Sequence, residues 1–224
     1  MPASSKRPPR SHPSRARSPS LQARGPEFTS TRAREGWDLA GRFDEAGTDA
    51  LLVVPQLAFL TRNGNPGRFL ERGRFRHFVE ELLTELAPQL GPDTALADVE
   101  SITLLAHSAG FETALAVLAR GEIEVRNVVL LDGLYAGVEP FGEWALARDD
   151  RRLVSLYTGS GRTAQQTRRL ARRLEVPVHD GDRPLTALVR EARVVIARSP
   201  APHGEVPARH IGELASPLGL SARP

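Results

Sequence analysis

The stretch Leu104-Leu-Ala-His-Ser-Ala-Gly-Phe-Glu-Thr-Ala-Leu-Ala-Val-Leu118 decides how this chain is read. Apolar residues run up to Ala106 as in a strand, and from Phe111 they recur at helical spacing. Between the two lies Ala106-His-Ser-Ala-Gly110, a small-x-Ser-x-Gly pattern joining a strand to a helix. This is the pattern of a nucleophile elbow, in which Ser108 sits on a sharp, strained turn and lifts its hydroxyl above the sheet. Ala106 and Gly110, two residues before and after the serine, are small enough for strand and helix to come close. The helix N-terminus then underlies the oxygen that becomes negative when a serine attacks a carbonyl, and the Ala109 N–H points at it. A bare Ser-x-Gly carries no weight. The competing reading is a serine that only caps its helix, and the strand and helix on either side favour the elbow.

Working outward, the apolar run Asp49-Ala-Leu-Leu-Val-Val54, ended by Pro55, reads as a buried strand. A Gly/Asn/Pro-rich loop, 61–67, follows. Phe75, Phe78, Val79, Leu82, Leu83 and Leu86 recur at helical spacing up to Pro88. Strands are expected at 101–105, 125–131, 153–157 and 193–197. Helices are expected at 111–119 (closed by Gly121), at 164–174, and at 208–214 after Pro207. Strands alternating with helices predict an α/β fold, a three-layer, mostly parallel sheet with right-handed crossovers and helices on both faces.

Composition agrees with one domain plus a tail. The 224 residues are 40% hydrophobic and 25% charged, a globular balance. With no cysteine, disulfide scaffolds, thiolate metal sites and cysteine nucleophiles are excluded. No apolar run approaches the ~18–20 residues that span a bilayer. Residues 1–26 hold six of the 30 basic residues and none of the 27 acidic ones, so the formal charge of +3 hides a body that is net negative. Lys6 is the only lysine, and the sequence pI of about 10.1 reports the tail and an arginine-rich code rather than a nucleic-acid-binding body. Residues 1–35 read as a disordered basic Pro/Ser/Arg-rich extension and 36–220 as the domain. A basic arm for anionic partners, a transit peptide and a misplaced start that hides a signal peptide remain open for the tail. Compartment is open with them, cytoplasmic by default. Oligomeric state is not readable.

The Ala106-His-Ser-Ala-Gly110 elbow, in its strand–helix setting, resembles the α/β-hydrolases over roughly residues 48–215. The first glycine of the common Gly-x-Ser-x-Gly is alanine here, as in some small bacterial lipases. The resemblance implies a minimal, lidless member akin to cutinases and small lipases or esterases, with the run before Pro55 as the family's third strand and the first two strands missing or reduced.

A serine needs a base, and the base an acid that holds its tautomer; in this fold the chain order is serine, acid, histidine. His203, in the loop past the strand 193–197 and before Pro207, is the favoured base. His210 falls inside the last helix, His77 precedes the serine, His107 is too near along the chain to point back at Ser108, and His179 is an outsider. The resemblance places the acid after the strand ending at Tyr157, but Thr158-Gly-Ser-Gly161 has no carboxylate. Some lipases of the fold use the preceding strand instead, where Val128–Leu131 runs into Asp132-Gly133. Asp132 is favoured, with Asp180 and Asp182 as alternatives.

The resemblance also implies a second oxyanion donor just after Val54. Pro55 has no N–H, so Gln56 (or Leu57) is the candidate beside Ala109, although Pro-Gln replaces the family's common His-Gly. The expected pocket rim is Leu57, Phe59, Leu134, Tyr135, Phe141 and Trp144, residues that equally suit a core. Arg62, Arg68, Arg72 and Arg74 make the loop 61–74 basic. The expected function is serine hydrolysis of a small-molecule carboxylic ester or related acyl bond, with no cofactor, no metal and no nucleic-acid partner for the body. Two alternatives stand beside it. One is a catalytically silent binding protein of the same fold. The other is a nucleotide binder using Gly159-Ser-Gly-Arg-Thr-Ala164, which matches Gly-x-Gly-x-x-Ala between a strand and a helix.

Overall fold

The computed structural model describes residues 36–57 and 64–218. Its centre is a five-stranded sheet built from β1 (Thr103–His107), β2 (Asn127–Leu131), β3 (Arg152–Tyr157), β4 (Val178–His179) and β5 (Val194–Arg198). The spatial order is β1-β2-β3-β5-β4 and every pairing is parallel. The fold is therefore α/β, as the alternating pattern predicts. Strands β2, β3 and β5 are almost continuously apolar because both faces are covered.

Side chains alternate between two cores. Leu104, Ala106, Val128, Leu130, Leu153, Val194 and Ile196 point to one face. There they meet α2 (Arg74–Leu90), α3 (Phe111–Arg120), α4 (Val138–Leu146) and α5 (Arg162–Leu174). Val129, Leu131, Val154, Leu156, Val195 and Ala197 point to the other, against α6 (Leu185–Glu191) and α7 (Val206–Ala215). A third, small cluster joins α1 (Leu39–Glu45) to α7 through Leu39, Phe43, Ile211 and Ala215, and Leu105 of β1 reaches it. The serine stretch thus touches all three clusters.

Several expectations change. The run 51–54 forms no strand: Leu52 and Val54 pack on the α1/α7 cluster, while Leu51 and Val53 are exposed. A strand is defined by hydrogen bonds to a neighbour, and Pro55 withholds one donor. Among the described residues β1 is consequently an edge strand. Helix α2 runs through Pro88, whose missing N–H falls in the final turn, and stops before Gly91. Three helices, α1, α4 and α6, and the two-residue β4 were not expected. The extension 1–35, the loop residues 58–63 and residues 219–224 lie outside the described residues. Among the described residues no helix is long and apolar enough to cross a membrane.

Candidate active site

The carboxyl ends of β1, β2 and β5 lie at one end of the parallel sheet, and each is followed by one candidate side chain. Ser108 follows β1 directly and has φ +53°, a left-handed conformation that is uncommon for a residue with a side chain. It opens one 3-10 turn, Ser108–Gly110, that leads into α3. A Cβ on Gly110 would meet only the Ala106 Cβ at 3.7 Å, an ordinary contact. The tighter glycine is Gly133, which sequence reasoning did not single out: a Cβ there would lie 3.1 Å from both the Ala106 and the Ser108 carbonyl oxygens. The backbone after β2 therefore rests directly on the elbow.

Asp132 follows β2, also with positive φ (+47°), and is 2% exposed. His203 comes from the turn after β5, and its side chain is 42% exposed. The three form a chain. The Asp132 Oδ2 lies 2.7 Å from His203 Nδ1, and His203 Nε2 lies 3.1 Å from Ser108 Oγ. A carboxylate can only accept here, so Nδ1 carries the proton and the Nε2 lone pair faces the serine hydroxyl.

Four donors surround the Asp132 carboxylate. Thr163 Oγ1 (2.5 Å) and the Thr158 N–H (3.1 Å) donate to Oδ1, and the Thr158 hydroxyl joins His203 at Oδ2. Burial alone pushes the Asp132 pKa up. The hydrogen bonds from Thr158, Thr163 and His203 outweigh it and hold the group below the ordinary carboxylate range. The carboxylate-free segment after β3 thus contributes donors rather than an acid: Thr158 and Thr163 hydrogen-bond to Asp132, which follows the neighbouring strand. The glycine-rich run 159–164 does follow β3 and open α5, but its buried Thr163 is turned to Asp132.

The other candidate acids are engaged elsewhere. Asp180 accepts the Tyr157 hydroxyl at 2.5 Å, and Asp182 lies 3.8 Å from His179 Nδ1. His77 pairs with Glu81 on an exposed face of α2. His210 is buried in α7 with Nε2 2.8 Å from Ser199 Oγ. His107 does not meet the serine, yet it is not a bystander. Its Nε2 lies 2.9 Å from the His203 carbonyl oxygen, and its ring centroid is 4.7 Å from that of His203. A histidine beside the elbow serine was a visible signal. The partner it would find 96 residues on was not.

The expected pocket rim needs correction. Leu134 (0%), Phe141 (0%) and Trp144 (8%) are core residues; the segment after β2 and helix α4 carry them into the core on one sheet face, where apolar surface is removed from water. Tyr135 is half-buried beside Phe111, with ring centroids 6.1 Å apart. Leu57 is half-buried, and Phe59 lies outside the described residues. The arginines near the loop are partly neutralised, Arg68 by Glu71 and Arg72 by Glu122. Gln56 is exposed, in the irregular segment whose Leu52 and Val54 pack beside Leu105. After the loop the chain returns to the elbow at Gly64 (φ +56°), where a Cβ would stand 2.6 Å from the Ala109 carbonyl oxygen. Only glycine fits that close approach. Among the described residues no group of three or more acids and histidines is placed to hold a metal ion.

No protein-family model, curated protein or solved structure matches this chain.

Proposed function

We propose that the protein is a serine hydrolase of the α/β-hydrolase type that cleaves a carboxylic ester or a related acyl bond. The observation that carries this reading is the hydrogen-bonded chain Ser108–His203–Asp132 at the carboxyl edge of the sheet, with the serine held at positive φ. His203 Nε2 accepts the Ser108 proton as Oγ attacks the carbonyl carbon. The imidazolium so formed is stabilised by Asp132, which stays ionised. The Ala109 N–H, in the first turn after the serine, and the Gln56 N–H from the adjoining segment receive the oxyanion. His203 then protonates the leaving group. Water, deprotonated by the same histidine, releases the acid product from Ser108.

The chemistry calls on donors and acceptors already in the chain. The site lies at a strand edge where open parallel sheets collect reactive groups. The test is labelling by a fluorophosphonate probe. Wild type reacts and Ser108→Ala does not; equal labelling of the two proteins overturns the reading.

A further inference from the structure

Next to the serine–histidine–aspartate chain stands a second set of aromatic contacts that the proposed chemistry does not use. His203 opens a 3-10 turn, His203–Glu205, that leads into α7. In a continuous helix the His203 carbonyl would accept from the backbone N–H four residues on. That residue is Pro207, which has none. The carbonyl is instead taken by a side chain: His107 Nε2 lies 2.9 Å away. A carbonyl cannot donate, so Nε2 of His107 carries the proton. The next carbonyl, Gly204, accepts from the Trp37 indole N–H at 2.6 Å. The donor rings also touch each other. Trp37 meets His107 edge-on, at 5.2 Å and 88°. His107 lies tilted against the His203 ring at 34°.

We propose that Trp37 and His107 form an aromatic clamp that positions His203, holding its turn by two consecutive carbonyls and its imidazole by one face. The proposal deepens the hydrolase reading and rests on it for its kinetic consequences. A half-exposed histidine on a turn has other rotamers open to it, and Asp132 restrains only Nδ1. The clamp fixes the backbone from which the ring hangs and closes off one side of the ring. Both are positioning residues; neither reaches the serine. Their joint action also explains why the elbow carries a ring just before its serine. Being the last residue of β1, His107 is rigidly tied to Ser108, so the nucleophile and the base share one support.

Three substitutions separate the two parts of the clamp. His107→Phe keeps a ring and loses the donor. His107→Gln keeps an N–H near the Nε2 position and loses the ring. Trp37→Phe keeps an aromatic ring, a smaller one, and loses the indole donor. Two measurements are made on the full chain: steady-state hydrolysis of p-nitrophenyl acetate, and the NMR proton signal of the His203 Nδ1–H, assigned by its loss in His203→Gln. His107→Phe is expected to lower kcat about tenfold with KM unchanged, since small misplacements of a catalytic group carry penalties of this order or more. The Nδ1–H signal broadens in parallel, and His107→Gln recovers most of the loss. Trp37→Phe gives a smaller loss of the same kind, and it takes the place of His107→Phe if that variant does not fold. Wild-type kcat and an unchanged signal in the folded variant overturn the clamp. A lowered melting temperature with kcat and signal intact, the mark of a purely structural contact, overturns it too. If wild type neither hydrolyses the ester nor reacts with fluorophosphonate while the signal still responds to these changes, the clamp stands and the hydrolase reading falls.

Discussion

Among the described residues two serine–histidine–carboxylate groupings can be set side by side, and they differ in access and in how the acid is bonded. In the first, Ser108 Oγ is 3.1 Å from His203 Nε2, and Asp132 is 2.7 Å from Nδ1. In the second, Ser199 Oγ is 2.8 Å from His210 Nε2, and Glu213 is 3.4 Å from Nδ1. By serine–histidine distance the second is the tighter pair. Yet Ser199 is 3% and His210 4% exposed, and the Ser199 hydroxyl oxygen already accepts the Ala201 N–H at 3.1 Å. The His210 Nδ1 contact to Glu213 also lacks hydrogen-bond geometry. The second grouping ties the strand β5 exit to α7 and so braces the segment that leads to His203. What separates the two is access, a strained turn and a fully bonded acid, not the residue types.

The largest contrast to break is reactivity. Ser108→Ala and His203→Ala each abolish ester turnover to within background, whereas Ser199→Ala keeps fluorophosphonate labelling. Initial rates and intact mass measure both. Next comes the acid. Asp132→Asn lowers kcat about a thousandfold or more because the imidazole loses the acceptor that sets its tautomer. Glu213→Gln, its counterpart in the buried grouping, changes kcat less than about threefold.

Stability is the reverse test. Ser199→Ala leaves the buried His210 Nε2 without a partner and is expected to destabilise by about 1–3 kcal/mol in urea unfolding. Thr163→Val removes one donor from Asp132 and lowers stability by about 1–2 kcal/mol, with a kcat loss of tenfold or less.

The smallest effect is on pH dependence. The folded pKa of Asp132 is depressed, so the stability it contributes is complete above the unfolded carboxylate value of about 4 and is lost as pH falls through the lower folded value. Melting temperature therefore drops more for wild type than for Asp132→Asn between about pH 5 and pH 3. The opposite order contradicts the bonding described around this carboxylate.

The α/β pattern was legible because β2, β3 and β5 are almost continuously apolar and α3 and α5 have clear helical spacing. Helix α4 was hidden because Pro140 and Gly142 lie inside it; it is held by burial of Val138, Phe141 and Trp144 rather than by propensity. The run 51–54 misled for the opposite reason. Its residues favour a strand, but pairing is a property of a neighbour the sequence does not display. At the site, Ser108 could be chosen from its strand–turn–helix setting, and His203 and Asp132 from the chain order and strand positions that the resemblance implies; the structure brings those three together. Thr158, Thr163, Gly133, Trp37 and His107 could not. Each acts through a contact dozens of residues away, and none belongs to a spacing rule.

The proposed hydrolase chemistry requires Ser108, among the described serines, to be made nucleophilic by its surroundings. The direct measurement is to react the protein with a fluorophosphonate, count adducts by intact mass and map them to residues. One adduct per chain, on Ser108, with a rate that collapses in His203→Ala, is the predicted result. An adduct on Ser199, equal modification of several serines, or a rate indifferent to His203 contradicts the account.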